Sequence, residues 1–370
     1  MTTFLLRLDP GPGDGPTVAV KDLIDVAGTP TTCASRPVAE AAAPAEVDAA
    51  CITAVRAAGG RIVGKANLHE LAFGGSGINP YTGTPVNPLD PDRIPGGSSS
   101  GSAVAVATGE ADIALGTDTA GSVRTPAACC GVAGLKTTFG RIPVAGVQAL
   151  APSLDTVGPL ARDVAGIATA MALLEPGFDP EGDPAERLGR VRLSGVARWV
   201  DDAVDALLAA AGLPLEAADL PGWDGAEEAG TTILFGEAAR VHSALLAHHA
   251  DALGDEARDR LRQGARVTDA ELASSIAAGE PWRAELDAAL ARTPVLVTAG
   301  IADEPAPLDD PTQLDTRRLN VAVNLGGHPA LVLPVPVAGR RFPASVQLIA
   351  AHGGEELLVR TAAALEAARR

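Results

Sequence analysis

The sequence predicts a layered α/β fold. Three observations carry the prediction: short apolar runs of strand length, stretches of helical periodicity between them, and 370 residues that are 46% hydrophobic with a mean hydropathy of +0.17. Strands alternating with helices pack as a sheet covered on its faces, and a chain of this size can bury a large core.

The elements follow in order. TVAVKDLIDV, residues 17–26, reads as a short strand entering a turn, with Lys21 just past TVAV. From Glu46 to Gly60 the apolar residues recur at helical spacing, and Gly59-Gly60 stop the helix. RIVGKANL reads as a second strand. Residues 74–101, dense in Gly, Pro, Asn and Ser, form one long structured loop, a kind of segment that in a compact protein usually serves function. A helix resumes over Ser102–Thr108, DIALGTD is a strand, and GVAGLKTT is another buried segment. From about 162 to 292 the chain is rich in Ala, Glu and Arg with helical periodicity, so this half is expected to be mostly helix. PVLVTAG, PALVLPVPV and PASVQLIAA give three more strands, and EELLVRTAAALEAARR closes the chain as a helix. No internal repeat or low-complexity tail interrupts this order.

Charge narrows the partners. A formal net charge of −17 argues against nucleic acid, whose binding rests on clustered Lys and Arg. No apolar run is long enough to span a membrane, since charges such as Glu110 and Asp112 break each one within a dozen residues. The N-terminus, MTTFLLRLDPGPGDGP, lacks the apolar stretch of a signal peptide. Cys33, Cys51, Cys129 and Cys130 show no C-x-x-C spacing and read as reduced, buried thiols. A cytoplasmic protein acting on a small molecule is the expectation.

Serine-rich loops invite three readings. As turns and caps they need no function. Gly97-Ser98-Ser99-Ser100-Gly101 matches G-x-S-x-G, but the nucleophile elbow needs a strand before it, and the preceding NPLDPDRIP cannot be a central strand because proline has no N–H for the ladder. GVAGLKT fails the spacing of a phosphate-binding loop, because Leu135 separates Gly134 from Lys136.

The lysines are a better lead. Of 29 basic residues only Lys21, Lys65 and Lys136 are lysines, all in the first 140 residues beside the serine loops. A desolvated lysine can become a neutral base, whereas arginine cannot be deprotonated in a protein.

PGGSSSGSAVAVATG, ALGTDTAGSVRTPAACCGVAGLKTTFGRIP and VAVKDLIDVAG together resemble the amidase signature family, with Ser98 and Ser122 24 positions apart. The signature covers about residues 66–165, and weaker likeness reaches both ends. The resemblance implies one α/β/α domain over 1–370 with a large mixed central sheet flanked by helices. A variable, mostly helical substrate-side region is expected at about 166–292, and strands and a helix over 293–370 complete the sheet.

The resemblance also implies a Ser, cis-Ser, Lys triad: Ser122 as nucleophile, Ser98 as the bridging serine on a cis peptide bond, and Lys21 as base. Burial lowers a lysine's pKa, so a neutral Lys21 can draw a proton from Ser122 through Ser98. Backbone N–H groups of Thr119, Ala120, Gly121 and Ser122 would form the oxyanion hole. The family usually has glycine where Ala120 and Ser100 stand, and a need for positive φ at 120 would strain the hole. Ala72, Phe73, Gly74 and Gly75 would lie near substrate. Asp118 and Arg124 are expected to brace the loop, and Lys65 and Lys136 to be structural. His248-His249 look like a solvated face; with His242 they lack a carboxylate at ligand spacing, so no metal site is expected. No cofactor is implied.

GGSSSGSAVAVA is similar to shorter members such as the indoleacetamide hydrolases, which implies an arylacetamide-like or aliphatic primary amide as substrate. The 3% aromatic content points to a largely aliphatic pocket. A homodimer is compatible with the likeness. Two other readings stay open: a glutaminase, carbamoyl or allophanate-type subunit of a larger system, and a non-catalytic binding protein on the same fold.

Overall fold

The computed structural model describes residues 2–369. Eleven strands among them form one sheet: β1 (Phe4–Arg7), β2 (Thr17–Lys21), β3 (Arg61–Ala66), β4 (Ile113–Asp118), β5 (Ala133–Lys136), β6 (Thr156–Ala161), β7 (Leu188–Val191), β8 (Leu215–Ala218), β9 (Val295–Ala299), β10 (Ala330–Val335) and β11 (Ala344–Ala350). Their order across the sheet is β1-β3-β2-β4-β6-β5-β10-β11-β9-β7-β8. β3, β2 and β4 run parallel, as do β9, β7 and β8, while the strands between pair antiparallel. The sheet is therefore mixed, and the layered α/β fold read from the sequence is present.

The helices are α1 (Arg36–Ala41), α2 (Ala50–Ala57), α3 (Ser100–Ala107), α4 (Arg124–Cys130), α5 (Val164–Leu174), α6 (Arg198–Ala211), α7 (Trp223–Val241), α8 (Ser243–His248), α9 (Asp255–Gly264), α10 (Asp269–Leu290), α11 (Val321–Gly326) and α12 (Glu355–Ala368). Strand side chains alternate in direction, so each strand feeds both faces of the sheet. Val18, Val20, Ile113, Leu115, Val295 and Val297 pack on one face with Ile52 and Val55 of α2, Ile167 and Met171 of α5, Val204 of α6 and Leu358 of α12. On the other face Ala19, Ala114 and Val332 meet α3 and α4 through Ala103, Val106 and Ala127. Farther along that face Leu296, Ala330 and Ile349 meet α7, α10 and α11 through Ile233, Leu286 and Ala322. With both faces covered, the strands read as continuous apolar runs.

The stretch from 162 to 292 is mostly helical, as expected, carrying α5 to α10; what the sequence reading lacked are β7 and β8, which extend the sheet at its far edge. LEAA of β8 is made of helix-forming residues, and its strand conformation comes from pairing with β7. The helix expected from Glu46 forms only over Ala50–Ala57. β6 is a strand that the sequence does not announce, because TVGPLA holds Pro159. The ladder to β4 runs its whole length, whereas pairing with β5 stops at Leu160, beside the residue that has no N–H to give.

Candidate active site

β2 and β4 are parallel neighbours in register Val20↔Leu115, so the segments leaving their carboxyl ends come together. Crevices of this kind, outside the carboxyl ends of parallel strands, are where α/β proteins place ligands. Lys21 is the last residue of β2, and Ser122 lies between β4 and α4. Ser98 sits just before α3, which packs on the same strands.

Lys21 Nζ lies 2.7 Å from Ser98 Oγ and 2.8 Å from Thr117 Oγ1. The Gly97–Ser98 peptide bond is cis. The two serine loops are tied through their backbones, with Ser99 N–H donating to Ser122 O at 3.2 Å. Lys21 and Ser98 are fully buried, while Ser122 keeps 9% of its surface exposed and is the one of the three that solvent reaches. Among the described residues Ser122 Oγ makes no hydrogen bond, so the Lys21–Ser98 half of the expected chain is formed and the Ser98–Ser122 half is not.

Burial moves Lys21 from its ordinary 10.5 down to about 7; the charges of Asp118 and Asp155 oppose the shift without cancelling it. Lys136 is brought to about 7 in the same way, with Arg124 adding to burial, but its Nζ donates to the carbonyls of Thr137 and His328 away from both serines. Lys65 pairs with Asp22 at 2.9 Å and reaches Thr31. Of the three lysines, only Lys21 meets a serine hydroxyl.

The loop carrying Ser122 is held from beneath. Asp118 accepts from the backbone of Gly121, Val123 and Arg124, and from the Arg124 and Asn324 side chains. Arg124 also donates to Gln347 Oε1 and Asn324 Oδ1. Burial alone would raise the Asp118 carboxyl; the adjoining Arg124 guanidinium outweighs it and holds that carboxyl well below the usual carboxylate range. Bracing is what these two residues do here.

Of the four backbone donors expected to face an oxyanion, one is corrected. Gly121 N–H is committed to Asp118 Oδ1 at 2.8 Å. The N–H groups of Thr119, Ala120 and Ser122 have no partner among the described residues. Gly121 takes φ +108°, whereas Ala120 is not among the residues of positive φ, so the alanine introduces no strain of that kind.

Ala72, Phe73, Gly74 and Gly75 all line the pocket onto which Ser122 opens. A Cβ at Gly75 would lie 1.9 Å from Thr316 Oγ1, so the Thr316 side chain would have to shift to admit one. The pocket is not largely aliphatic as expected: Arg260 and Arg317 share its wall with Thr125, Leu150 and Leu234. Sequence reading missed both arginines. Arg260 lies on α9, whose DEARDRLRQG looks like a solvated face, and Arg317 lies in a loop more than 190 residues from Ser122. No local motif joins them to the serines.

All four cysteines are free and buried. His248 and His249 are exposed, as expected. Asp287, His328 and His352 bring one potential ligand atom each within 4.8 Å of the others, the one such group among the described residues. No helix among them is long and apolar enough to cross a membrane.

Cleaving an amide needs an activated nucleophile and donors for the developing oxyanion, and the class of protein that this fold and site define is the amidohydrolases. The chain belongs to the amidase signature family: residues 9–181 match the family described as Amidase, a span that includes the signature expected at about 66–165. It is 33% identical to a glutamyl-tRNA(Gln) amidotransferase subunit of Halobacterium salinarum, covering 96% of each chain. It is 35% identical to 2-amino-5-chloromuconic acid deaminase of Comamonas testosteroni, over 97% of this chain and 82% of that one. A solved structure described as an amidase superposes with a TM-score of 0.87 at 32% identity, covering 95% of this chain and 84% of that one.

Proposed function

We propose that the protein hydrolyses the C–N bond of a small amide through a covalent acyl intermediate on Ser122. The observation that supports this best is the fully buried Lys21, brought to about 7 and 2.7 Å from Ser98 Oγ. Neutral Lys21 takes the Ser98 proton as Ser98 takes that of Ser122, and Ser122 Oγ attacks the carbonyl carbon. The N–H groups of Ala120 and Ser122, with that of Thr119, receive the negative oxygen in this reading, which is supported by their having no partner among the described residues. The same relay returns the proton to the leaving nitrogen, which departs as ammonia or an amine. Water, deprotonated by the relay, then attacks the acyl carbon and frees a carboxylate, restoring Ser122–OH. Every proton is carried by protein groups.

The test is mass spectrometry of the protein with a fluorophosphonate and with amide substrates. A phosphonyl adduct on Ser122, lost in Ser122→Ala and in Lys21→Met, is the expected result. Labelling that survives Lys21→Met unchanged overturns the relay.

A second reading is favoured by the likeness to the amidotransferase protein over 96% of both chains: release of ammonia from glutamine for a partner enzyme. Turnover of simple amides by the purified chain supports the first reading. Glutamine hydrolysis seen only with added partner subunits supports the second.

A further inference from the structure

The wall of the Ser122 pocket carries an unusual pair of charges. Phe73 and Phe235 meet edge to face with centroids 5.0 Å apart, and each ring holds a guanidinium: Arg260 lies 5.8 Å from the Phe73 centroid and Arg317 5.5 Å from that of Phe235. Both phenylalanines are buried, so each guanidinium lies within reach of a ring that is itself held by the core. Both arginines line the pocket with Ser122, and both continue into an adjoining outer cleft of about 300 Å³.

The two guanidiniums are unequally compensated. Glu256 pairs with Arg260 at 2.7 Å. Arg317 has no carboxylate at ion-pair distance among the described residues. Asp315, two residues away, spends Oδ1 on the backbone N–H groups of Arg317 and Arg318. The pair also repels: burial lowers the Arg260 guanidinium below its ordinary value, and the charge of Arg317 lowers it further against the opposing pull of Glu256. In a chain with 46 acidic residues an anion for Arg317 was readily available. Two cations held together with one carboxylate between them are unfavourable until an anion arrives. Arginine's planar fork suits a carboxylate, which it can grip through two parallel N–H···O bonds.

We infer that Arg317, with Arg260 beside it, receives a carboxylate on the acyl part of the substrate, so that the preferred substrates are monoamides of short dicarboxylic acids. This rests on the reading of Ser122 as an amidase nucleophile. It also accounts for a positive pocket on a molecule whose net charge is −17: the selectivity is local, since the field of the whole chain would repel such a substrate.

The experiment compares succinamate and glutaramate with their neutral diamides, succinamide and glutaramide, on the purified protein. The expected result is a kcat/KM at least tenfold higher for the acids. Arg317→Ala should lower it about tenfold or more for the acids, mainly through KM, and by a clearly smaller factor for the diamides; Arg317→Lys should recover part of the loss. Equal rates for acids and diamides, or a loss in Arg317→Ala that falls equally on both, overturns the inference. A parallel measurement needs no turnover: succinate binding by calorimetry should be lost in Arg317→Ala and strengthened in Glu256→Gln, where Arg260 is released from its partner. Failure of the amidase reading shows separately, as absence of Ser122 labelling and of hydrolysis of every amide. Succinate binding that depends on Arg317 still supports the anion site in that case, and wild-type protein that does not bind succinate sinks it.

Discussion

At residue 21 the proposed chemistry depends on a proton being absent. Burial brings the Lys21 amine from 10.5 to about 7, so it is mostly charged below pH 7 and neutral above. The kcat/KM profile of the free enzyme should therefore rise through about pH 7 and level off, and Lys21→Met should remove turnover with the fold retained. Lys136 has the same depressed value, so Lys136→Met is the control: the rise near pH 7 should persist in it. A profile flat from pH 6 to 8, or a rise that vanishes with Lys136, contradicts the assignment. A second pair of changes tests the backbone donors. Gly121→Ala places a Cβ at φ +108° and 2.7 Å from Asn320 Cβ, and should cost more than about 1 kcal/mol of stability along with most activity. Ala120→Gly, at a position without positive φ, should leave activity within about twofold. In the sequence, scarcity singles out three lysines without choosing among them, and it is the resemblance of the serine motifs to the family that picks Lys21, Ser98 and Ser122 as the proposed triad. Arg260 and Arg317 are not legible there, since only tertiary packing on Phe73 and Phe235 distinguishes them from other surface arginines.

At the scale of elements, the turn from β4 into α4 carries both Ser122 and its support. Asp118 and Arg124 are fully buried and 2.9 Å apart, so removing one leaves the other an uncompensated interior charge. Arg124→Met should destabilise by about 3–5 kcal/mol, seen as a lower urea midpoint, and should loosen the Gly121 and Val123 N–H groups that Asp118 holds, seen as faster amide exchange. An unchanged midpoint means that the brace is dispensable. Once the resemblance proposes Ser122 as nucleophile, position beside it is what marks these two residues as supports in the sequence. The strand β6, which covers this turn through the Thr156 hydroxyl bond to Asp118 O, leaves no such mark. Pro159 within TVGPLA speaks locally against a strand, and the conflict is resolved only where the ladder to β5 ends beside it. Likewise β7 and β8 are four residues each, and β8 is largely exposed, so neither has the apolar run that makes β9, β10 and β11 visible.

Over the whole molecule, burying so many ionisable groups makes stability depend on pH in a way the net charge of −17 does not foretell. Lys21 and Lys136 have folded values of about 7 against 10.5 when unfolded. Between those values the unfolded chain binds the extra protons, so stability rises with pH, by on the order of 2 kcal/mol for the pair between pH 7 and 8. The thiols act in the opposite sense. Burial pushes Cys33, Cys51 and Cys129 from 9.0 to about 12 and Cys130 well above 9.0, so above pH 8 the unfolded chain loses protons that the folded chain keeps. At pH 9 each unfolded thiol is half ionised, and four of them release about two protons, cancelling the two lysines. Stability should therefore climb from pH 7, turn over near pH 9 and fall beyond it. Urea midpoints taken under reductant at pH 7, 8, 9 and 10, in about 0.5 M salt to screen the surface charge, measure this directly. In Lys136→Met the climb from pH 7 to 8 should be about half as large while the fall above pH 9 remains. Midpoints that decline steadily from pH 7 show that the two lysines are not held neutral in the folded protein, and with that the base at the centre of the proposed chemistry is lost.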